Sequence, residues 1–273
     1  MQRLATEARE ALGSVVAKHR QFLVQLESFG NEAKNAACYV YGDMAVQHAA
    51  SRSKNLLGRL NRTPTFWLSM GAAFQTAAYI SFGRMFDRKS KYNVDALLKA
   101  AERDIALFQR NALAERKRDG KATDPPWLPD YLNSAFYPTV KDFQQLRQKV
   151  NQYRKIYDRA IRPARNKYLA HRERHGHEEV QRLFQHGKVR DLWRLTTFLL
   201  QLHELLWQLL HNGRKPRFRP VRYSIRSIFD SKSSRTSVHE YMVHDVKKLM
   251  QLIESATPNY LLKSTGSKRP LAE

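Results

Sequence analysis

Apolar residues return every three or four positions along nearly the whole chain, the spacing that lines them up on one face of an α-helix. From Val189 to His211, Leu192, Leu195, Leu199, Leu202, Leu206 and Leu209 form a broad apolar face. The same periodicity predicts a helix over about Leu4–Phe29, closed by Gly30, and a second over about Glu32–Leu60. Thr63-Pro64 opens a third, with proline at its first position, which ends near the "GRMFD" of Gly83–Asp87. Asn93 is the expected N-cap of a helix from Val94 to about Arg118, stopped by Gly120. The four prolines of Asp124–Pro138 predict a loop, and a long helix is expected from about Thr139 through His171. A last helix over about Val238–Glu254 leaves a tail expected to be disordered.

These elements and their short connections predict an all-α, antiparallel helical bundle. Residues 1–60 are expected as an N-terminal helical hairpin packed on a bundle of residues 61–254, with 255–273 as the tail. The stretch Thr63–Gly83 holds no charged residue and approaches bilayer length. Pro64, Gln75, several hydroxyls and the small residues Gly71, Ala72, Ala73, Ala77 and Ala78 instead suit a helix packed on all sides in a protein core. The start "MQRLATEAREALG" is charged throughout and lacks the apolar run of a signal peptide. A cytoplasmic protein with no membrane segment is expected. Cys38 is the single cysteine, which excludes a disulfide framework and a thiolate zinc cage within the chain.

Charge narrows the partner. Against 25 Asp+Glu stand 48 Lys+Arg, a net +23, and the commonest use of such an excess is a polyanion. Nucleic acid is therefore the leading partner. Between Gly213 and Arg235, Arg214, Lys215, Arg217, Arg219, Arg222 and Arg226 alternate with Phe218, Tyr223 and Phe229. Cations track phosphates and rings stack on unpaired bases, so Arg214, Lys215, Arg217, Arg219, Arg222 and Tyr223 are candidate RNA-binding residues. The bland alternative is a solvated connector whose rings dock on the bundle.

The run "RNKYLAHRE", residues 165–173, sets Arg165, Asn166 and His171 close together. Six positions of an ideal helix turn through about 600°, leaving Arg165 and His171 about 120° apart and about 9 Å apart along the axis. One helix cannot easily close both around one phosphate, whereas two copies about a two-fold axis can. Pro163, two residues before Arg165, either kinks the helix or restarts it.

"RNKYLAH" resembles the arginine, polar residue, variable stretch, histidine motif of the HEPN superfamily, whose domains are all-α, dimerise and are often metal-independent ribonucleases. With the "RE" that follows and "GRMFD" upstream, the chain looks most like the abortive-infection AbiU-type branch, in architecture over roughly residues 60–215. The resemblance implies Arg165, His171 and Asn166 as catalytic residues, supported by Arg84, Asp87 and Lys167. His171 would move the proton of an RNA 2′-hydroxyl or protonate the leaving oxygen, while Arg165 binds phosphate oxygens as charge accumulates. Products would carry a 2′,3′-cyclic phosphate and a 5′-hydroxyl. It implies no cofactor and no metal, a homodimer with a composite site, RNA as partner, and an antitoxin or other regulatory partner for a toxin or antiviral defence effector. Two other readings stay open. One is a non-catalytic module binding RNA or nucleotide; the other is a metal-dependent hydrolase using His171, His175 and His177 with Glu178 or Glu179. The pair Arg84 and Asp87, three apart, equally suits a plain intrahelical ion pair.

Overall fold

The computed structural model describes residues 2–90, 93–121, 123–166, 188–220, 224–231 and 237–256. These form helices with no strand among them. Helix α1 (Gln2–Arg52) is the spine of the molecule. Phe22, Leu26, Phe29, Ala33, Ala36 and Val40 recur along it at helical spacing and enter the main core. Farther along, Ala37, Tyr41, Ala45 and Ala49 enter a second core. Small side chains at these positions let neighbouring helices approach closely, and α1 packs chiefly on α3 (Pro64–Phe86), α9 (Val189–Asn212) and α11 (Val238–Ser255).

The expected break at Gly30 does not occur, so one long helix and the short α2 (Lys54–Leu60) replace the hairpin of residues 1–60. Gly30 has a different task. A Cβ there would lie 2.3 Å from Nε2 of His203 on α9, so glycine makes the notch that receives the imidazole. The helix instead breaks at Ser53, whose side chain accepts from the Leu56 N–H to cap α2.

Elsewhere the boundaries shift for identifiable reasons. Asn93 caps α4 (Val94–Arg103) through the Ala96 N–H, as its sequence position suggests. The chain then breaks at Asp104, a buried carboxylate paired with Arg103 at 2.8 Å and Lys18 at 3.9 Å. A 3₁₀ turn (Ile105–Phe108) and α5 (Arg110–Arg118) follow, where one helix was expected. The proline-rich loop contains a short α6 (Leu128–Ser134). Thr139 and Asp142 form a capping box at the start of α7 (Val140–Ala160).

Helix α3 begins and ends where expected but is not enclosed. Its second half buries Ala78, Tyr79, Ser81, Phe82, Gly83, Met85 and Phe86, while Phe66 and Leu68 near its start are 61% and 74% exposed. No helix among the described residues is long and apolar enough to cross a membrane.

Partly and fully buried histidines make stability depend on pH. His211 is pushed down to about 4, chiefly by burial and then by Arg116, His19 and Lys117. Burial also holds His19, His203 and His239 below the ordinary value. Each binds a proton more readily in the unfolded chain, where the pKa is about 6.5. Their contribution is fully present above that value and is lost as pH falls toward about 4. Thermal unfolding followed by circular dichroism should show Tm dropping by several degrees from about pH 7.5 to about pH 5. His211→Gln should shrink the drop; a flat profile in the parent protein would refute the account.

Candidate functional site

Proline ends α7. With no N–H and a ring that crowds the carbonyl four residues back, Pro163 cannot continue the helix from Arg159. Ile161 leaves helical geometry (φ −121°, ψ −45°), and the chain restarts as α8 (Arg162–Ala164). Arg165 and Asn166 follow in a wider π turn, with the Arg165 N–H donating to the Ile161 carbonyl at 2.9 Å. The long helix expected from Thr139 to His171 is therefore interrupted at the candidate motif. Rare π turns of this kind often accompany functional sites.

The interruption sends the Arg165 side chain across the end of α3. Its Nη1 donates to Asp87 Oδ2 at 3.0 Å and to Asn166 Oδ1 at 2.8 Å. Both N–H bonds of Nη1 are thereby used, and no hydrogen bond among the described residues uses Nε or Nη2. Gly83 makes room for this arrangement: a Cβ there would stand 2.7 Å from Nε and 3.1 Å from Cζ of Arg165. Asp87 is itself fixed. Its Oδ1 accepts the Lys89 N–H at 3.0 Å, and its own N–H closes α3 on the Gly83 carbonyl. The Lys89 N–H, then the hydrogen bond and charge of Arg165, hold the Asp87 carboxyl below the usual carboxylate range against its partial burial. It stays ionised at neutral pH.

Arg84 takes another direction. The intrahelical pair with Asp87 is not formed, because Asp87 faces Arg165 while Arg84 reaches Glu32 of α1 at 3.3 Å. Successive residues one and four along a helix share a face only when the last turn stays regular, and Asp87 already lies in the extended C-cap (φ −72°, ψ 121°). Lys167, His171 and the histidine cluster His171, His175 and His177 lie outside the described residues, as do Arg222 and Tyr223.

Two residues that pattern reading passes over shape this corner. Gly83 is one; the other is Arg154 of α7. Arg154 is buried, and its guanidinium donates to the Phe86 carbonyl, Asp95 Oδ2 and Asn151 Oδ1 at 3.3, 2.7 and 2.8 Å. It holds the end of α3 and the start of α4 against α7. Beneath it Tyr157 stacks on Phe86 at 5.4 Å. Burial pushes the Tyr157 hydroxyl up to about 12, so it stays protonated at neutral pH.

The basic stretch after α9 divides. Arg214, Lys215 and Arg217 line a groove of about 580 Å³ together with Lys117 and Tyr131, and the Lys215 ammonium sits over the Phe136 ring. Arg219 lies apart, in a different cavity. Of the interleaved rings, Phe218 stacks on Phe198 of α9, and Phe229, in α10 (Ile225–Asp230), is buried in the second core. These rings dock on the bundle, so Phe229 is not available to a base. Among the described residues no group of three or more His, Cys, Asp or Glu is placed to hold a metal ion.

The Gly83 contact yields a prediction with opposite signs. Alanine in a helix interior normally stabilises by roughly 0.5–1 kcal/mol over glycine. At position 83 it meets a pinned guanidinium, so Gly83→Ala should destabilise by about 1–2 kcal/mol in urea unfolding. In an Arg165→Ala background the same substitution should stabilise. A stabilising Gly83→Ala in the parent would mean that Arg165 does not cross α3.

No curated protein and no solved structure matches the chain. The family HEPN_AbiU2 (AbiU2) matches residues 19–232, a stretch that takes in α3, Arg165 and the whole of α9. With most of its length covered, the chain belongs to the HEPN_AbiU2 family.

Proposed function

We propose that this protein is a metal-independent endoribonuclease of HEPN type, acting in the cytoplasm as a homodimer. The observation that supports it most is the Arg165 guanidinium, oriented by Asp87 and Asn166 with its Nε and Nη2 groups left out of those bonds. A permanently charged group held in one orientation suits a phosphate that gains negative charge during reaction. The RNA 2′-oxygen attacks the adjacent phosphorus as a base takes its proton. The bond from phosphorus to the 5′-oxygen breaks, and an acid protonates that oxygen, leaving a 2′,3′-cyclic phosphate and a 5′-hydroxyl. His171 serves as base in one protomer and, through the partner copy, as acid. Asn166 orients Arg165 without adding charge, and Asp87 acts through Arg165 as a positioning residue. Arg214, Lys215, Arg217, Arg219, Arg222 and Tyr223 hold the strand. Uncontrolled cleavage would harm the host cell, which suits a toxin or antiviral defence effector restrained by an antitoxin or other partner.

Purified protein incubated with total RNA should cleave it equally with and without EDTA and leave cyclic phosphate ends. His171→Ala and Arg165→Ala should each lower cleavage by about a hundredfold or more while helicity is retained. Wild-type cleavage by either variant would sink the assignment, loss in EDTA alone would favour the histidine metal site, and retained but uncut RNA would favour a binding module.

RNA affinity should also fall steeply with salt, because cations bound to phosphates release counterions. Titration of an RNA hairpin from about 50 to about 200 mM salt should weaken binding by at least tenfold. A flat curve would mean that the excess of +23 serves something other than a polyanion.

A further inference from the structure

A cavity of about 440 Å³ lies between α7, α9 and the segment after α9. None of Arg84, Asp87, Arg165 and Asn166 lines it. Four cations do: Lys149 from α7, Arg190 and Arg194 from α9, and Arg219. No Asp or Glu stands among its described lining residues. The nearest carboxylate in sequence, Asp191, is buried and turned onto Arg159 at 3.2 Å. Four like charges around one concavity repel each other unless an anion joins them.

Its wall is aromatic. Tyr153 stacks face to face on Phe198 with centroids 3.9 Å apart and planes within 8°. Phe218 continues the stack on Phe198 at 5.4 Å and 20°. Phe198 is thus the middle rung of a three-ring ladder whose end rings, Tyr153 and Phe218, line the cavity beside Trp193. The segment bearing Phe218 and Arg219 is anchored: Gln201 accepts the Arg219 N–H at 3.2 Å and donates to its carbonyl at 2.9 Å. Positions 149 and 153 share a face of α7, and 190, 194, 197 and 201 share a face of α9.

Clustered cations beside stacked ring faces, in a cavity within the usual range for small ligands, fit a phosphate joined to a planar base. We infer that the Tyr153–Phe198–Phe218 ladder, with Lys149, Arg190, Arg194 and Arg219, forms a binding site for a nucleoside phosphate, either free or as an unpaired residue of an RNA strand. The phosphate sits among the cations and the base extends the ring ladder. The site takes no part in bond breaking, so it stands or falls separately from the reading of Arg165 and His171.

Calorimetric titration of the full chain tests it. AMP should bind at least tenfold more tightly than adenosine or inorganic phosphate, because base and phosphate are both recognised. Arg190→Ala/Arg194→Ala, on exposed positions with helicity checked by circular dichroism, should weaken AMP at least tenfold. Arg62→Ala/Lys248→Ala, which removes the same charge from exposed positions that do not line the cavity, should change it less than twofold. A 2′-O-methyl hexanucleotide has no attacking hydroxyl and so reports binding alone. Displacement of AMP by it assigns the site to a strand; failure to displace AMP assigns it to a free nucleotide. Inorganic phosphate binding as tightly as AMP, or equal AMP affinity in the two double variants, would overturn the inference. Cleavage activity does not enter either outcome.

Discussion

A guanidinium almost shut off from water holds together the end of this molecule where Arg165 lies. Arg154 costs free energy to bury, and its acceptors must compensate fully or the corner loosens. The Phe86 carbonyl, Asp95 and Asn151 supply them from three helices. The end of α3 thereby becomes a fixed point, and everything that meets Arg165 depends on it. Asp87 sits one residue beyond Phe86, and Gly83 one turn before. A displacement of this corner would move the carboxylate and the notch together, taking the orientation of Arg165 with them.

Much of the fold was legible because its signals are local. Pro64 at a helix start, Asn93 at a cap and the leucine period of Val189–His211 each act within a turn or two of themselves. Gly30 misleads for the converse reason. Its neighbour, His203, is far away in sequence, and only tertiary packing distinguishes a notch from a helix stop. Asp104 ends a helix with neither glycine nor proline; Arg103 beside it is local, but its burial and its second cation, Lys18, lie beyond any window around it.

The candidate site was legible by half. The arginine and asparagine of "RNKYLAH" and the aspartate of "GRMFD" come together, while the arginine beside that aspartate points to Glu32. Helical spacing alone favoured the pair of Arg84 with Asp87, since it assumes a regular turn where the chain has already left the helix. Arg154 carries no motif, and Gly83, although it opens "GRMFD", shows no role there that spacing reveals. A buried cation in mid-helix and a glycine in an apolar stretch acquire meaning only once their neighbours are known.

The cradle around Arg165 has an entropic consequence. A free arginine side chain carries about 2 kcal/mol of rotamer entropy, which a phosphate contact ordinarily removes. Here the glycine notch, Asp87 and Asn166 have confined the side chain before any ligand arrives. The loss of freedom is charged to folding, where the whole bundle offsets it, and the encounter with an anion is left with little more to order.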